Sequence, residues 1–252
     1  MKKRQTKIID TLRKQKRVTV DELARVFNIS RETIRRDLTQ LANTGKIQKI
    51  HGGAILPSAF GEGSFQQRMS DNADAKTRIA SKAVQLFDAG ETLFIDTGST
   101  TLYFAEKLGE ISGLTIVTNS TEIARIITSP KTSTRTFLLG GEYSENNHQT
   151  VGTLVATQIK SFRAHHAVLT VGALDIRSGA MDFNIEEAHV ARAMIEQSES
   201  ITILADSSKY NNLASFEVCP LSRIDRLVCD LAPPDAMAEA LREAGVQTVV
   251  AT

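Results

Sequence analysis

The sequence predicts an α/β protein in two parts: a small helical head with a two-stranded wing, then a larger body built on a mostly parallel sheet. Three observations predict it. Residues 1–57 carry fourteen Lys and Arg against five Asp and Glu, so a head of charge +9 precedes a body of −8 beneath a net charge of only +1. Residues 30–41 read as a short arginine-bearing helix behind a tight turn. From residue 75 onward, short apolar runs alternate with amphipathic helices, which is the pattern of a parallel sheet covered by helices. A chain of 252 residues divides naturally into two domains, and 41% hydrophobic content suffices for a sizeable core. The expected boundaries are 1–57 for the head, 58–74 for a linker and 75–252 for the body.

In the head, Ile8, Ile9 and Leu12 among polar neighbours predict an amphipathic first helix ending near Lys16. Thr19 and Glu22 have capping-box spacing, and Leu23, Val26 and Phe27 are expected on the buried side of a short second helix. After the turn at 28–29, Ser30 is a good N-cap, and Ile34, Leu38 and Leu41 at i, i+4 and i+7 form one apolar stripe. The polar face carries Arg36, flanked by Arg31 and Arg35, and Gly45 is a good C-terminal stop. Two short helices joined by a tight turn, the second bearing arginines, form the helix-turn-helix pattern. Arginine can bond a guanine edge in bidentate fashion while others hold phosphates; the alternative is an ordinary solvated charged face. Residues 46–55 alternate imperfectly around Gly52 and Gly53, which predicts a two-stranded wing, with Lys46, Lys49 and His51 along a phosphate backbone. A surface histidine with no special role is the alternative for His51.

Ser30–Leu38, followed by Gly45 and the His-Gly-Gly-Ala of residues 51–54, resembles the amino-terminal winged helix of the DeoR family of bacterial sugar-metabolism repressors. The resemblance implies that the second helix of the motif reads operator DNA. By it, Ser30, Thr33, Arg35 and Arg36 occupy the family's signature positions, and the expected DNA-binding set is Ser30, Arg31, Thr33, Arg35, Arg36, Lys46, Lys49, His51 and Gly52. The segment that follows is small, polar and glycine-bearing, as a linker is, with Phe65 and Met69 as apolar exceptions able to dock on the body.

In the body, a helix is expected near Asp74, with Ile79, Ala83, Val84, Leu86 and Phe87 buried. Strands are expected at 92–96, 114–118, 135–139, 167–171, 201–205 and 226–229, and further helices at 101–108, 121–127, 151–159 and 185–197. In such sheets ligands bind beyond the carboxyl ends of the strands. Asp96, Gly98, Ser99, Thr100 and Thr101 follow the first strand and open a helix, which suits a phosphate, a plain helix cap being the alternative. Asn119 follows the second strand. Gly140 and Gly141, with Gly152 beyond, read as close-approach turns or as a hairpin pair. Glu186 and Glu187 open a helix, and Lys209 follows a strand; together they could grip sugar hydroxyls or move protons, against helix-dipole and solvated-lysine alternatives.

These motifs are similar to the same family's carboxyl-terminal sensor domain, so the resemblance spans essentially the whole chain. It implies a fold like that of ribose-5-phosphate isomerase and the CoA-transferases, sensing phosphorylated sugars or related metabolites. The implied effector set is Asp96, Gly98, Ser99, Thr100, Thr101, Asn119, Gly140, Gly141, Gly152, Glu186 and Lys209. Many members have His-Ser-Lys-Phe-Gly where residues 207–211 read Ser-Ser-Lys-Tyr-Asn, and many carry lysine where Ala191 stands. These departures bear on which effector is bound.

The expected function is sequence-specific binding of double-stranded operator DNA by a transcription regulator. It is read as a repressor of a carbohydrate operon, modulated by a phosphorylated sugar and acting as a homo-oligomer, dimer or tetramer, because two half-sites demand two heads. A DNA-binding activator is a third and weaker reading, which sequence cannot separate from a repressor because the sign depends on where the operator lies. The alternative class is a sugar-phosphate isomerase-like enzyme with the head as a tether; against it, there is no Walker loop, no Gly-x-Ser-x-Gly and no His-Cys metal set. No cofactor, metal or catalytic residue is expected. Cys219 and Cys229 are too few for a disulfide framework, and no apolar run follows the basic start or could span a bilayer, so a cytoplasmic protein is expected.

Overall fold

The computed structural model describes residues 3–15, 17–43, 47–50, 52–55, 63–109, 111–128 and 133–252. The chain divides into two compact units, Met1–Gly63 and Ser64–Thr252.

The first unit runs α1 (Lys3–Gln15), β1 (Arg17–Thr19), α2 (Val20–Phe27), α3 (Arg31–Asn43), β2 (Gln48–Ile50) and β3 (Gly53–Ile55). The Thr19 hydroxyl accepts from the Glu22 amide at 3.1 Å and the Glu22 carboxylate accepts from the Thr19 amide at 2.8 Å, closing the capping box that starts α2. Asn28, at φ 51°, ends α2 in the left-handed conformation asparagine tolerates. Ile8, Leu12, Val18, Leu23, Ile34, Leu38, Leu41 and Ile47 make one core. α1 is tied to α3 by the Arg4–Asp37 ion pair and by Gln5 donating to Gln40 at 2.8 Å. Val26, expected inside, is 65% exposed. Val20, Leu23 and Phe27 form the inward stripe of this short helix, and Val26 lies about a quarter turn away from it. The wing has a third strand that the sequence reading lacked: β3 is central, antiparallel to both β1 and β2. Lys46 and His51, both assigned to it, and the Gly45 stop lie outside the described residues.

The second unit begins with α4 (Phe65–Ser70) and α5 (Ala73–Ala83), so residues 64–74 are not the open connection expected. Ser64 caps α4 by accepting from the Gln67 amide at 3.2 Å, and Phe65 is buried against Ile79 and Phe104. Phe65 and Met69, at i and i+4, give this short helix an apolar side to bury. Residues 56–62 lie outside the described residues.

Then follow β4 (Thr92–Ile95), α6 (Ser99–Leu108), β5 (Thr115–Thr118), α7 (Thr121–Ile127), β6 (Arg135–Leu138), β7 (Glu142–Ser144), β8 (Gln149–Val151) and α8 (Thr153–Ile159). The chain continues through β9 (Ala164–Thr170), β10 (Ala173–Asp175), β11 (Gly179–Asp182), α9 (Ile185–Glu196), β12 (Ser198–Leu204), β13 (Phe216–Cys219), β14 (Arg226–Cys229), α10 (Asp235–Glu243) and β15 (Gln247–Val250). Seven strands pair in the order β15-β14-β12-β9-β4-β5-β6, every pair parallel. Their alternating side chains feed two cores. Leu93, Ile95, Ile116, Val168, Leu204 and Val228 meet α5, α6 and α7 on one face. Phe94, Val117, Ala167, Leu169, Ile203 and Leu227 meet α8, α9 and α10 on the other. The antiparallel β7–β8 hairpin and the β10-β11-β13 sheet were not expected, nor were α10 and β15. Residues 151–159, expected as one helix, split at Gly152, whose φ of 95° turns β8 into α8.

Candidate functional site

In the first unit, Ser30 starts α3: its hydroxyl accepts from the Thr33 amide at 3.2 Å and lies 2.9 Å from the Thr33 hydroxyl. With Ile34, Leu38 and Leu41 turned into the core, Arg31, Arg35 and Arg36 are all exposed. Arg31 pairs with Asp21 at the start of α2 at 2.7 Å, and Arg35 lies 3.9 Å from Glu32. Arg36 has no hydrogen-bond or ion-pair partner among the described residues. Lys49, on β2, donates to Thr39 of α3 at 3.2 Å, which ties the wing to the helix. A cleft of about 390 Å³ runs between them, lined by Asp21, Arg31, Arg35, Lys49, Gly52 and Gly53. Gly52 takes φ 75° at the wing's turn, whereas Gly53 is needed for space, because a Cβ there would stand 2.1 Å from the Val18 carbonyl oxygen. The result is three cationic side chains and a bare glycine backbone around one groove, chemistry suited to a phosphate chain.

In the second unit, β5 and β6 extend the sheet to one side of β4, while β9, β12, β14 and β15 extend it to the other. The strand order therefore reverses between β4 and β9, and the crevice beyond their carboxyl ends is where an open parallel sheet takes a ligand. Asp96, just after β4, spans this reversal: both carboxylate oxygens accept from the Thr170 amide at the end of β9, at 3.1 Å each. Burial, reinforced by Asp182 and Glu187, holds its carboxyl well above the usual range, against the opposing pull of the Thr170 amide.

The predicted residues divide here. Ser99 and Thr100 are buried at the start of α6, and no hydrogen bond among the described residues engages their hydroxyls. Thr101 is already committed, donating to the carbonyls of Asp96 and Gly98 at 3.0 and 3.1 Å. Gly98, read as a site of close approach to a ligand, is closely approached by the protein: a Cβ would lie 2.1 Å from the Thr170 hydroxyl. Asn119 is buried, accepts from Thr97 at 3.3 Å and donates to Gln149 and to the Thr150 carbonyl at 3.2 and 3.0 Å.

Gly140 and Gly141 are not drawn into this cluster. The amide and carbonyl of Gly140 are both bonded to Gln158 of α8 at 3.0 Å, and a Cβ on Gly141 would meet the Val151 carbonyl oxygen at 2.6 Å. Gly141 is a packing glycine, Gly140 has room for a Cβ, which would meet only the Gln158 carboxamide at 3.4 Å, and Gly152 is a turn glycine. Glu186 is half-buried at the start of α9, but the bonds run to its neighbour: Glu187 accepts from Gln149 at 2.7 Å and from Asn147. Lys209, half-buried in a turn after β12, acts on Lys76 electrostatically.

Several residues around the cluster escaped the sequence reading. Asn147 and Gln149 belong to the β7–β8 hairpin, and Arg68 of α4 donates to Asn147 at 2.9 Å. Lys76 of α5 is buried and donates to the carbonyls of Asp71, at 2.7 Å, and Arg68; burial lowers its pKa to about 8, with nearby Asp206 resisting. Asn72 donates to Asp206 at 3.0 Å, and Asp230, after β14, accepts from the Ser207 amide at 2.7 Å. None of these residues sits in a periodic pattern or a recognisable motif; only the fold assembles them.

The residues of this second cluster are carboxylates, carboxamides, hydroxyls and buried amines, which can bind a polyhydroxylated anion. Among the described residues, no group of three or more His, Cys, Asp or Glu could hold a metal, and no helix is long and apolar enough to cross a membrane.

Residues 4–60 match the DeoR-like helix-turn-helix domain, and residues 71–231 match the DeoR C terminal sensor domain. The glycerol-3-phosphate regulon repressor of Escherichia coli (strain K12) is 32% identical over 240 residues, 95% of each chain. The L-fucose operon activator of Haemophilus influenzae is 32% identical over 244 residues, 96% of this chain and 97% of its own. A solved D-ribose-5-phosphate isomerase in complex with phospho-erythronic acid overlaps 55% of this chain and 54% of its own at 17% identity, with a TM-score of 0.40. The full-length relatives are transcription regulators and give the isomerase alternative no support. Matched in both its units and along nearly its whole length, the chain belongs to the DeoR family of DNA-binding transcription regulators.

Proposed function

We propose that this regulator represses a carbohydrate operon by binding its operator through α3 and the β2–β3 wing, and that a phosphorylated sugar at the carboxyl edge of the parallel sheet changes its DNA affinity. Residues 1–57 act as the DNA-binding domain and residues 75–252 as the sensing and oligomerising one. The observation that carries the DNA reading is α3 itself, a capped helix with its apolar stripe buried and three arginines turned outward beside a cationic cleft. Arg36 reads base edges, and Arg31, Arg35, Lys49 and the Gly52 backbone hold phosphates, with Ser30 and Thr33 fixing the start of the helix. Lys46 and His51 extend the phosphate contacts.

The sensing reading rests on the strand-order reversal at Asp96. The Ser99 and Thr100 hydroxyls and the start of α6 receive the phosphate, with Lys209 as counter-charge, and Asn119 and the α9 carboxylates receive sugar hydroxyls. Repression follows the naming of the glycerol-3-phosphate regulon repressor, a relative. Two half-sites call for at least a dimer. A gel shift with the chain's own promoter region tests the first half: one retarded species, lost on Arg36→Ala, is the expected result. Deleting the chain and measuring the adjacent transcript reads the sign, and a rise supports repression.

A further inference from the structure

α4 is the first element of the second unit, and the chain leaving its amino end leads to the DNA-binding head. Some of its polar contacts lead to the strand-end cluster, while the Tyr103 hydroxyl, donating to the Met69 carbonyl at 2.9 Å, ties it to α6. On one side, Arg68 donates to Asn147 at the tip of the β7–β8 hairpin, and Phe65 meets the neighbouring His148 edge to face, with ring centroids 6.1 Å apart. The same Asn147 donates to Glu187, and Gln149 bridges Glu187 to Asn119. On the other side, Lys76 reaches back to the carbonyls of Arg68 and Asp71 at the end of α4, while Asn72 holds Asp206 beside the Ser207–Lys209 turn. Asn147, which accepts from Arg68, is thus one hydrogen bond from Glu187, and Asn72, just after α4, is two from Lys209, whose amide donates to the Asp206 carbonyl.

We infer that α4 is the output element of the sensor: a ligand that takes the hydrogen bonds of Glu187 and Asn119 withdraws Asn147 and Gln149 from their present partners, and Arg68 loses its bond to Asn147. This rests on the sensing reading above. Gln149 is almost wholly buried, donating to Glu187 and accepting from Asn119, so a ligand that takes over either bond displaces the hairpin that carries Asn147. Arg68 and Asn147 are positioning residues, since neither is assigned to the ligand.

The test uses the full chain as wild type, Arg68→Gln and Asn147→Ala, probed with glycerol 3-phosphate, ribose 5-phosphate and glucosamine 6-phosphate. Thermal shift reads ligand binding, and operator affinity is measured with and without each probe. The wild type is expected to change operator affinity about 5- to 150-fold with at least one probe, and the variants less than about twofold while keeping the thermal shift and the ligand-free operator affinity. Reciprocity adds a second readout: operator DNA alters probe affinity in the wild type and leaves it unaltered in the variants. Asn147→Ala carries the test if Arg68→Gln does not fold. Variants that respond as fully as the wild type overturn the α4 route alone. A wild type that neither shifts nor responds with any of the three overturns the sensing reading and the route together.

Discussion

Arg36 differs from its neighbours on α3 in having no acidic partner among the described residues, whereas Arg31 is paired with Asp21 and Arg35 lies near Glu32. Pairs as exposed as these are worth little in water and exchange readily for a phosphate, so in the proposed reading the two partnered arginines take backbone contacts and Arg36 takes base contacts. Arg36→Ala is expected to cost about 1–3 kcal/mol of discrimination between operator and random DNA, with thermal unfolding unchanged. Lys49→Ala is expected to weaken all DNA sequences alike and to lower the slope of log affinity against log salt by about 1; a sequence-selective loss would move Lys49 to a base edge. The arginines were legible because the i, i+4, i+7 stripe fixes which side of a helix faces out. Glu187 was legible only with Glu186 as a carboxylate pair, and Asn147 not at all, because the bond between Asn147 and Glu187 comes from a hairpin and a helix start meeting across 40 residues of chain.

At the scale of the element, the turn from β4 into α6 shows how a glycine read correctly as a close approach can be read wrongly as to its partner. Gly98 is extended, at φ −167°, a conformation open to any residue; what it lacks is room, since Thr170 of the adjacent β9 stands where a Cβ would go. Gly98→Ala is therefore expected to lower stability by about 1–3 kcal/mol in chemical denaturation, with no phosphate present. An unchanged midpoint would mean that Thr170 moves aside without cost.

α5 offers a test through pH. The Lys76 amine titrates near 8 in the folded chain against an ordinary 10.5, so between those values the folded state binds fewer protons than the unfolded one. Below about pH 8 the depressed pKa opposes folding fully, and the handicap fades as pH rises toward 10.5. The stability of wild type relative to Lys76→Met should therefore rise across that window, and a flat difference between the two would show that the buried amine is better solvated than its burial implies.

For the whole molecule, the sensing reading predicts linkage between ligand and stability. A sugar phosphate at a hundred times its dissociation constant should add about 2.7 kcal/mol, a shift of roughly 5 to 10 °C for a body of this size. The dephosphorylated sugar should give none, because the Ser99 and Thr100 hydroxyls would have no anion to receive. Equal shifts from both forms would place the recognition on the hydroxyl-binding carboxamides instead.

The sequence alone determined the arginine helix and its cap, the alternation of strands and helices, and the family, because each is written in short-range spacing or a contiguous motif. The third wing strand, the β10-β11-β13 sheet and the β7–β8 hairpin were decided only by tertiary structure. Strands of three or four residues carry too little periodicity to announce themselves, and their hydrogen bonds are completed by partners distant in sequence. The candidate sensor site follows the same rule. Ser99, Thr100 and Asn119 stand where their strands end and could be found by reading along the chain, whereas Lys76, Gln149 and Thr170 join them, with Arg68 and Asn147 behind, only when seven parallel strands bring their carboxyl ends to one edge.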